Sequence, residues 1–500
     1  MNKDRLASLN TFRLTIWIGD RKKLLRRLAV LVLALTVLAF IAATWGVIRS
    51  PIESRTSPLL VNDVTQLNPI AVRRVITPST TAEIIAAVQQ SQGPISIGGA
   101  RHSMGGQIAT AGALYIDTSS FDRIINFSPR LKTITVQAGT RWHQIQEHID
   151  SADLSVKIMQ TYANFTVGGS LSVNAHGRYI GQGPLIRSVK SLQLVLADGS
   201  LIDASPTHNS AVFYGVIGGY RGLGVVTEVT LDLAENVRVK RRAQAMLIGE
   251  YKRYFFDQVR KSPSAVFHNA DIYPDDYTQV NSVTYSTTSD AVTVRDRLIA
   301  THQSYWRDRF LFWVISEWPL GNMIRRRIVD PIRFSGEPVT WRNYEASYDV
   351  AELEPSSRAD STYVLEEYFV PVQRFDDFAA LMRSVLRRYH AHVINVSIRH
   401  AMKDPGSLLA WARTEVFAFV IYYKQGTNDA AKKVVAAWTR RLIDAALSVG
   451  GSYYLPYQLH ATVEQFLRAY PGAREFFVLK QRLDPTNKFR NELWNKYYHP

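Results

Sequence analysis

An α+β fold is predicted for this 500-residue chain by three observations. Between residues 70 and 235, the alternating apolar pattern of strands interleaves with the three-to-four-residue spacing of helices. The length is too great for one ordinary core and predicts two or three domains. After residue 236 the composition shifts, and the stretch 250–390 is rich in Tyr, Trp, Phe and Arg and poor in Gly.

The chain opens on a basic flank. Residues 1–27 hold Lys3, Arg5, Arg13, Arg21, Lys22, Lys23, Arg26 and Arg27 against Asp4 and Asp20. Residues 28–48 are an uncharged, mostly apolar run of 21 residues. Crossing a bilayer as a helix takes about 20 such residues, whereas a cleaved signal peptide has a core of about 7–15. The run therefore predicts a transmembrane anchor, with the N-terminus cytoplasmic and residues 50–500 extracytoplasmic, in the periplasm. Arg49, Arg55, Arg73 and Arg74 just beyond the run argue against that orientation. Arg26-Arg27 also resembles a twin-arginine export signal. Residues 49–67, with Pro51 and Pro58 and no periodicity, read as a linker.

The next elements follow from local signals. Thr80 and Glu83 have capping-box spacing, and Ile84, Ile85 and Val88 give one apolar helix face. Strands are expected at 95–97, 113–116 and 133–138. A second helix is expected from Arg141, with Trp142, Ile145 and Ile149 on one side. Residues 189–196 and 200–202, joined by Asp198-Gly199, read as a hairpin, and 225–233 as a strand. Residues 305–327 mix large aromatics with Arg307, Arg309, Arg325, Arg326 and Arg327. That mixture fits either a membrane-surface element or a core helix with solvated arginines.

The chemistry sits in glycine-rich loops. Gly98-Gly99-Ala100-Arg101-His102-Ser103 follows a strand and leads on to Gly105-Gly106. Glycines allow close backbone approach to a ligand, and Arg, His and Ser supply donors. The same segment reads equally as a turn with a solvated histidine. Ala138-Gly139-Thr140, residues 164–178 and residues 218–229 are three further segments of this kind, able to hold a pyrophosphate through backbone amides. None has the G-x-G-x-x-G order of a Rossmann turn, and no G-x-x-x-x-G-K-[ST] occurs, which excludes a P-loop.

Together, the G-G-x-x-H-S loop, the later V-G-G-x-x-x-x-x-A-H-G loop and G-G-x-x-G-L-G-V-V-T-E-V-T-L resemble the vanillyl-alcohol oxidase or para-cresol methylhydroxylase type of FAD-binding domain. The resemblance covers about residues 68–235. It implies two α/β subdomains, a substrate (cap) domain over 236–470 and a segment 471–500 returning to the FAD domain. The ending Leu483-Asp484-Pro485-Thr486-Asn487-Lys488-Phe489 matches the D-P-x-x-x-F of several members. Gly98 to Ser103 would cradle the FAD pyrophosphate. His102 matches the histidine that is covalently joined to the flavin in the alditol and gulonolactone oxidase branches. Gly168, Gly169, Ser170, Ser172, Asn174, His176 and Gly177 would line the flavin from its other side, and Val225 and Val226 would meet the adenine.

The substrate residues depart from both related branches. Where aldonolactone and alditol oxidases have Glu-x-Arg, this chain has Ser397-Ile398-Arg399; for their His-Trp-x-Lys it has residues 454–460. The decaprenylphosphoryl-ribose oxidase branch has a Y-L-x-K whose lysine is Tyr457 here, and its A/D-x-H-G-K resembles Ala175-His176-Gly177-Arg178. Tyr457, His460 and Arg399 are the candidates for a base and a substrate orienter. Arg399 cannot be a base at ordinary pH, and Tyr457 and His460 read equally as a core tyrosine and a loop histidine.

The resemblance therefore implies an FAD-dependent oxidoreductase acting on a CH-OH group of a polyol, sugar or lipid-linked sugar, with oxygen or a quinone as acceptor. The rival reading is a membrane-tethered flavoprotein that binds a partner without catalysis. No cysteine is present, which excludes disulfides, a thiol nucleophile and a Cys-ligated metal. The net charge of +16 lies partly in the N-terminal flank, so a nucleic-acid partner is not expected.

Overall fold

The computed structural model describes residues 25–38, 40, 41, 57–301, 303, 305–318, 320–350 and 358–499. Three sheets organise the chain. The first is a parallel sheet of β1 (Arg74–Ile76), β2 (Ile95–Gly98) and β3 (Leu114–Asp117), in the order β1-β3-β2. Helix α1 (Thr81–Gln90) crosses between β1 and β2, as a parallel connection requires. The Thr80 hydroxyl caps α1 by accepting from the Glu83 amide, while Glu83 reaches back to the Ser79 amide at 2.7 Å. Ile84 and Val88 are the buried face of α1.

The second sheet is antiparallel and has the 225–235 strand near its centre. It contains β4 (Ile124–Ser128), β5 (Thr133–Gln137), β6 (Leu154–Val156), β7 (Val189–Val195), β8 (Leu201–Ala204) and β9 (Val225–Glu235). The expected hairpin is β7–β8, turned at Gly199 with φ +86°. Helix α2 (Trp142–Ile149) buries Trp142, Ile145 and Ile149, the three residues that marked it in the sequence.

The third sheet has eight antiparallel strands: β10 (Arg238–Leu247), β11 (Ala265–Ile272), β12 (Gln279–Thr287), β13 (Val339–Trp341), β14 (Ser361–Pro371), β15 (Val393–Ala401), β16 (Val416–Gly426) and β17 (Ser452–Tyr453). Alternation along β14 sends Glu366 and Tyr368 to one face and Tyr363, Leu365 and Glu367 to the other. Helices α5 (Phe375–Arg388) and α6 (Asp429–Ser448) pack beside this sheet, with Phe378, Met382, Trp438 and Leu442 buried. The other face is left to line a cavity.

The C-terminus returns to the first sheet. Ile95 pairs in parallel with Phe489, its amide donating to the Lys488 carbonyl at 2.7 Å and its carbonyl accepting from the Arg490 amide at 2.9 Å. Phe489 is fully buried among Ile84, Ile97, Ile116 and Val225. One buried ion pair fixes this return. Lys480 Nζ donates to Asp484 Oδ2 at 2.9 Å, to the Gly222 carbonyl at 2.8 Å and to the Phe489 carbonyl at 3.0 Å. Asp484 accepts in turn from the amides of Lys488 and Phe489.

The expected transmembrane helix over 28–48 is not found. Among the described residues no helix is long and apolar enough to cross a membrane. Residues 25–38, 40 and 41 are helical, and residue 39 and residues 42–48 lie outside the described residues, as do residues 1–24 of the basic flank. The helical stretch is nonetheless apolar and exposed, with Leu25, Leu28, Val30, Leu31, Leu33 and Leu38 all open.

Both ionic side chains of the Lys480–Asp484 pair have 0% exposure, so removing one strands the other. Lys480→Met is therefore expected to destabilise the protein by about 3–5 kcal/mol, read as a lowered thermal unfolding midpoint.

Candidate active site

A cavity of about 440 Å³ opens between the glycine loops of the first two sheets and the free face of the third. Ala100, Arg101, His102, Ser103 and Met104 form one wall; Gly169, Ser170, Ala175, His176 and Arg178 form a second. The third wall is the sheet, through Glu367 of β14, Asn395, Ser397 and Arg399 of β15, and Val420 and Tyr422 of β16. Tyr454 and Tyr457 close the set. A smaller cleft continues between the first and second sheets, lined by Thr118, Gly168, Ser172, Gly219, Arg221, Gly222 and Val226 among others. Arg221 lines both spaces, and its backbone is left-handed with φ +59°.

The glycines do a different job from the one expected of them at several positions. A Cβ on Gly98 would lie 1.7 Å from the Tyr115 hydroxyl, and one on Gly99 would lie 2.6 Å from Thr166 Oγ1. At Gly139 it would meet the Thr118 carbonyl at 1.8 Å, and at Gly177 the Met159 carbonyl at 2.1 Å. These four glycines line neither space; they let one loop pack on another, which is what brings the walls together. Gly105 serves the site directly. Its missing side chain admits the Tyr457 carbonyl, 2.1 Å from where a Cβ would stand. The Met104 amide donates to the Pro456 carbonyl at 2.7 Å, and Gln107 donates to the carbonyls of Leu455 and Tyr457, both at 2.7 Å.

His102 faces the cavity and stacks on Phe165, with ring centroids 4.0 Å apart. Burial, with Arg141 nearby, pushes its pKa down to about 4, so the ring is neutral at neutral pH. Arg101, also left-handed at φ +62°, holds Asp117 at 2.5 Å. Asn174 does not reach either space. Its amide donates to Asp404 at 2.7 Å and to Ser407 at 3.2 Å, its side-chain oxygen accepts from the Ile186 amide, and it staples the second sheet's loop to residues 404–407. Ser170 lines the cavity, while its hydroxyl donates to Gln160 and accepts from the Trp142 indole. Val226 lines the smaller cleft, whereas Val225 is buried in the core around Phe489.

The group that sequence reasoning missed is Glu367. His176 Nε2 lies 2.5 Å from Glu367 Oε1, and the Tyr457 hydroxyl donates to Glu367 Oε2 at 3.2 Å. All three side chains face the cavity. Burial, with the Glu367 charge beside it, pushes the Tyr457 phenol well above its ordinary pKa, so it stays protonated. Arg399 Nε has no hydrogen-bond partner among the described residues, and neither does His176 Nδ1. His460 is elsewhere. It does not line the cavity, and burial beside Lys496 and Arg440 pushes it to about 4.

These residues fit a dinucleotide flavin. Two neighbouring spaces share Arg221, Arg101 lines the larger one, and the buried polar atoms Arg399 Nε and His176 Nδ1 are left open there. Ala100 to Ser103, Gly169, Ser170 and His176 would hold the flavin end, and Gly168, Ser172, Arg221 and Val226 the rest.

The comparisons with known proteins agree with that fit. Residues 72–205 match the family model described as an FAD binding domain. Cytokinin dehydrogenase 2 of Arabidopsis thaliana is 28% identical over 37% of this chain and 38% of its own length. L-gulonolactone oxidase of Mus musculus is 22% identical over 83% of this chain and 92% of its own length. Decaprenylphosphoryl-beta-D-ribose oxidase of Mycolicibacterium smegmatis is 20% identical over 88% of this chain and 95% of its own length. The chain thus carries an FAD binding domain and is similar over most of its length to two oxidases, an L-gulonolactone oxidase and a decaprenylphosphoryl-beta-D-ribose oxidase.

Proposed function

We propose that the chain oxidises the CH-OH carbon of a polyol, a sugar or a lipid-linked sugar. The observation that carries this is the Tyr457–Glu367–His176 chain of contacts beside Arg399, on the wall facing the flavin-binding loops. Bound FAD supplies the hydride acceptor. Arg399 presents an open Nε to a substrate oxygen and holds it in place. Tyr457, kept protonated by burial, passes its proton to Glu367 as it receives the proton of the substrate hydroxyl. His176 shares the proton that Glu367 gains. The acceptor that reoxidises the site is oxygen or a quinone.

The FAD is covalently attached through His102. A neutral imidazole facing the cavity has the free electron pair such a bond needs, and support comes from the downward-shifted pKa of this ring. The chain also associates with a membrane. The exposed apolar helix beginning at Leu25 and the basic flank before it support this, with residues 50–500 on the extracytoplasmic side.

Anaerobic mixing with polyols, aldonolactones and a polyprenyl-phosphate pentose is expected to bleach the flavin band at about 450 nm with one of these classes; no bleaching by any of them would reject the activity. With that substrate, Glu367→Gln is expected to slow flavin reduction by about 10²–10⁴-fold, and Tyr457→Phe by about 10²-fold, with FAD still bound. After acid precipitation, flavin fluorescence should stay with the wild-type pellet and move to the supernatant for His102→Ala.

A further inference from the structure

The stretch from helix α4 (Trp306–Glu317) to residue 334 has two faces. Its inner face closes the cavity, through Phe312, Ile315, Arg325, Val329 and Phe334. Arg325 pins it to the third sheet, reaching Asn395 at 3.0 Å and Asp271 at 3.5 Å, and it also holds Asp330 of the same stretch at 3.2 Å. Its outer face carries large apolar side chains into solvent: Trp318 is 45% exposed, Leu320 58%, Met323 37%, Ile328 54% and Ile332 69%. Exposed Arg327 lies between them. Apolar side chains so close together on a surface mark an interaction site rather than ordinary solvated surface.

This face continues into a second apolar element. Phe40 stacks on Trp318, with ring centroids 5.4 Å apart and an interplanar angle of 18°, and lies 5.5 Å from Trp313. The helix that carries Phe40 exposes Leu28, Val30, Leu31, Val32, Leu33 and Val37, positions that run round its whole circumference. A helix that is apolar all round is covered on every side. A protein partner of ordinary shape covers one side, whereas lipid covers all of them. The cations flanking the patch, Arg26 and Arg27 at the start of that helix and Arg327 in the roof, complement anionic headgroups.

We propose that residues 306–334 form a bilayer-docking roof, whose outer face sits in an anionic lipid leaflet while its inner face closes the substrate cavity. The cavity mouth then opens at the lipid surface. Its substrate is of the lipid-linked class: the tail stays among acyl chains while the polar head reaches Arg399 and Tyr457. This rests on the membrane association proposed above and adds to it the surface that makes the contact.

The chain has no cysteine, so single-cysteine labelling is unambiguous. The full-length holoprotein is prepared as Leu320→Cys, Ile328→Cys and Ile332→Cys, with Leu131→Cys and Val478→Cys as controls, both positions being 70% exposed and outside the roof. Each is labelled with an environment-sensitive fluorophore and mixed with phosphatidylglycerol/phosphatidylcholine vesicles, with or without brominated acyl chains. Flotation reports membrane association by itself. A surface element lies about 5–10 Å into the headgroup and acyl boundary, so roof labels are expected to shift to the blue and lose about half their emission to the bromines. Control labels are expected to do neither. Flotation with roof labels still aqueous would overturn the roof while leaving membrane association standing. Failure to float would overturn both. Blue-shifted roof labels without vesicles would assign the face to a second copy of the chain and overturn the lipid assignment.

Discussion

The buried Lys480–Asp484 pair is the constraint on which the rest of the arrangement depends. A charge pair removed from water is costly, and it persists only where every remaining donor and acceptor is occupied. Here they are occupied by the backbone of two distant segments, the Gly222 loop and the stretch around Phe489. The pair therefore holds the returning C-terminus against the same loop that presents Arg221 to both spaces of the site. Position in the site follows from satisfaction of a charge far from the chemistry.

A second constraint is the two-fold alternation of the large sheet. Every strand that reaches the cavity gives one set of side chains to it and the opposite set to the far side. In β14 this puts two adjacent carboxyl groups in unlike surroundings. Glu367 meets His176 and Tyr457, while Glu366, on the opposite face, is raised well above the ordinary carboxyl pKa by burial. A one-residue slip of β14 would exchange the two and abolish the site without changing composition.

Much of the FAD-binding half was legible because its signals are local. The Thr80–Glu83 spacing, the Asp198-Gly199 turn and the face formed by Trp142, Ile145 and Ile149 each lie within a few residues, and each specifies its element whatever surrounds it. The glycine loops were legible as a combination, but their physical reading needed the fold. Gly98 and Gly139 give way to Tyr115 and Thr118 rather than to a ligand, and only the packed chain shows which atoms claim the space. Asn174 looked like a flavin contact and is a structural staple, because its partners, Asp404 and Ser407, are some 230 residues away in sequence. Glu367 was hidden for the same reason. It sits inside an apolar strand, next to another glutamate, with both partners far off in the chain. The one signal available was that two carboxylates in a run as apolar as 361–371 demand an explanation. The transmembrane expectation rested on composition alone, and part of its span, residues 42–48, lies outside the described residues.

The pairing of Ile95 with Phe489 has a consequence for how the protein is made. Synthesis runs from the N-terminus, and domains ordinarily fold as they emerge. The first sheet here takes its last backbone pairing, and the aromatic ring that fills its core, from the segment around Phe489. On the ribosome the cofactor-binding half therefore stays incomplete until the segment around Phe489 has emerged. Loss of that segment would act on the first sheet, far away in sequence.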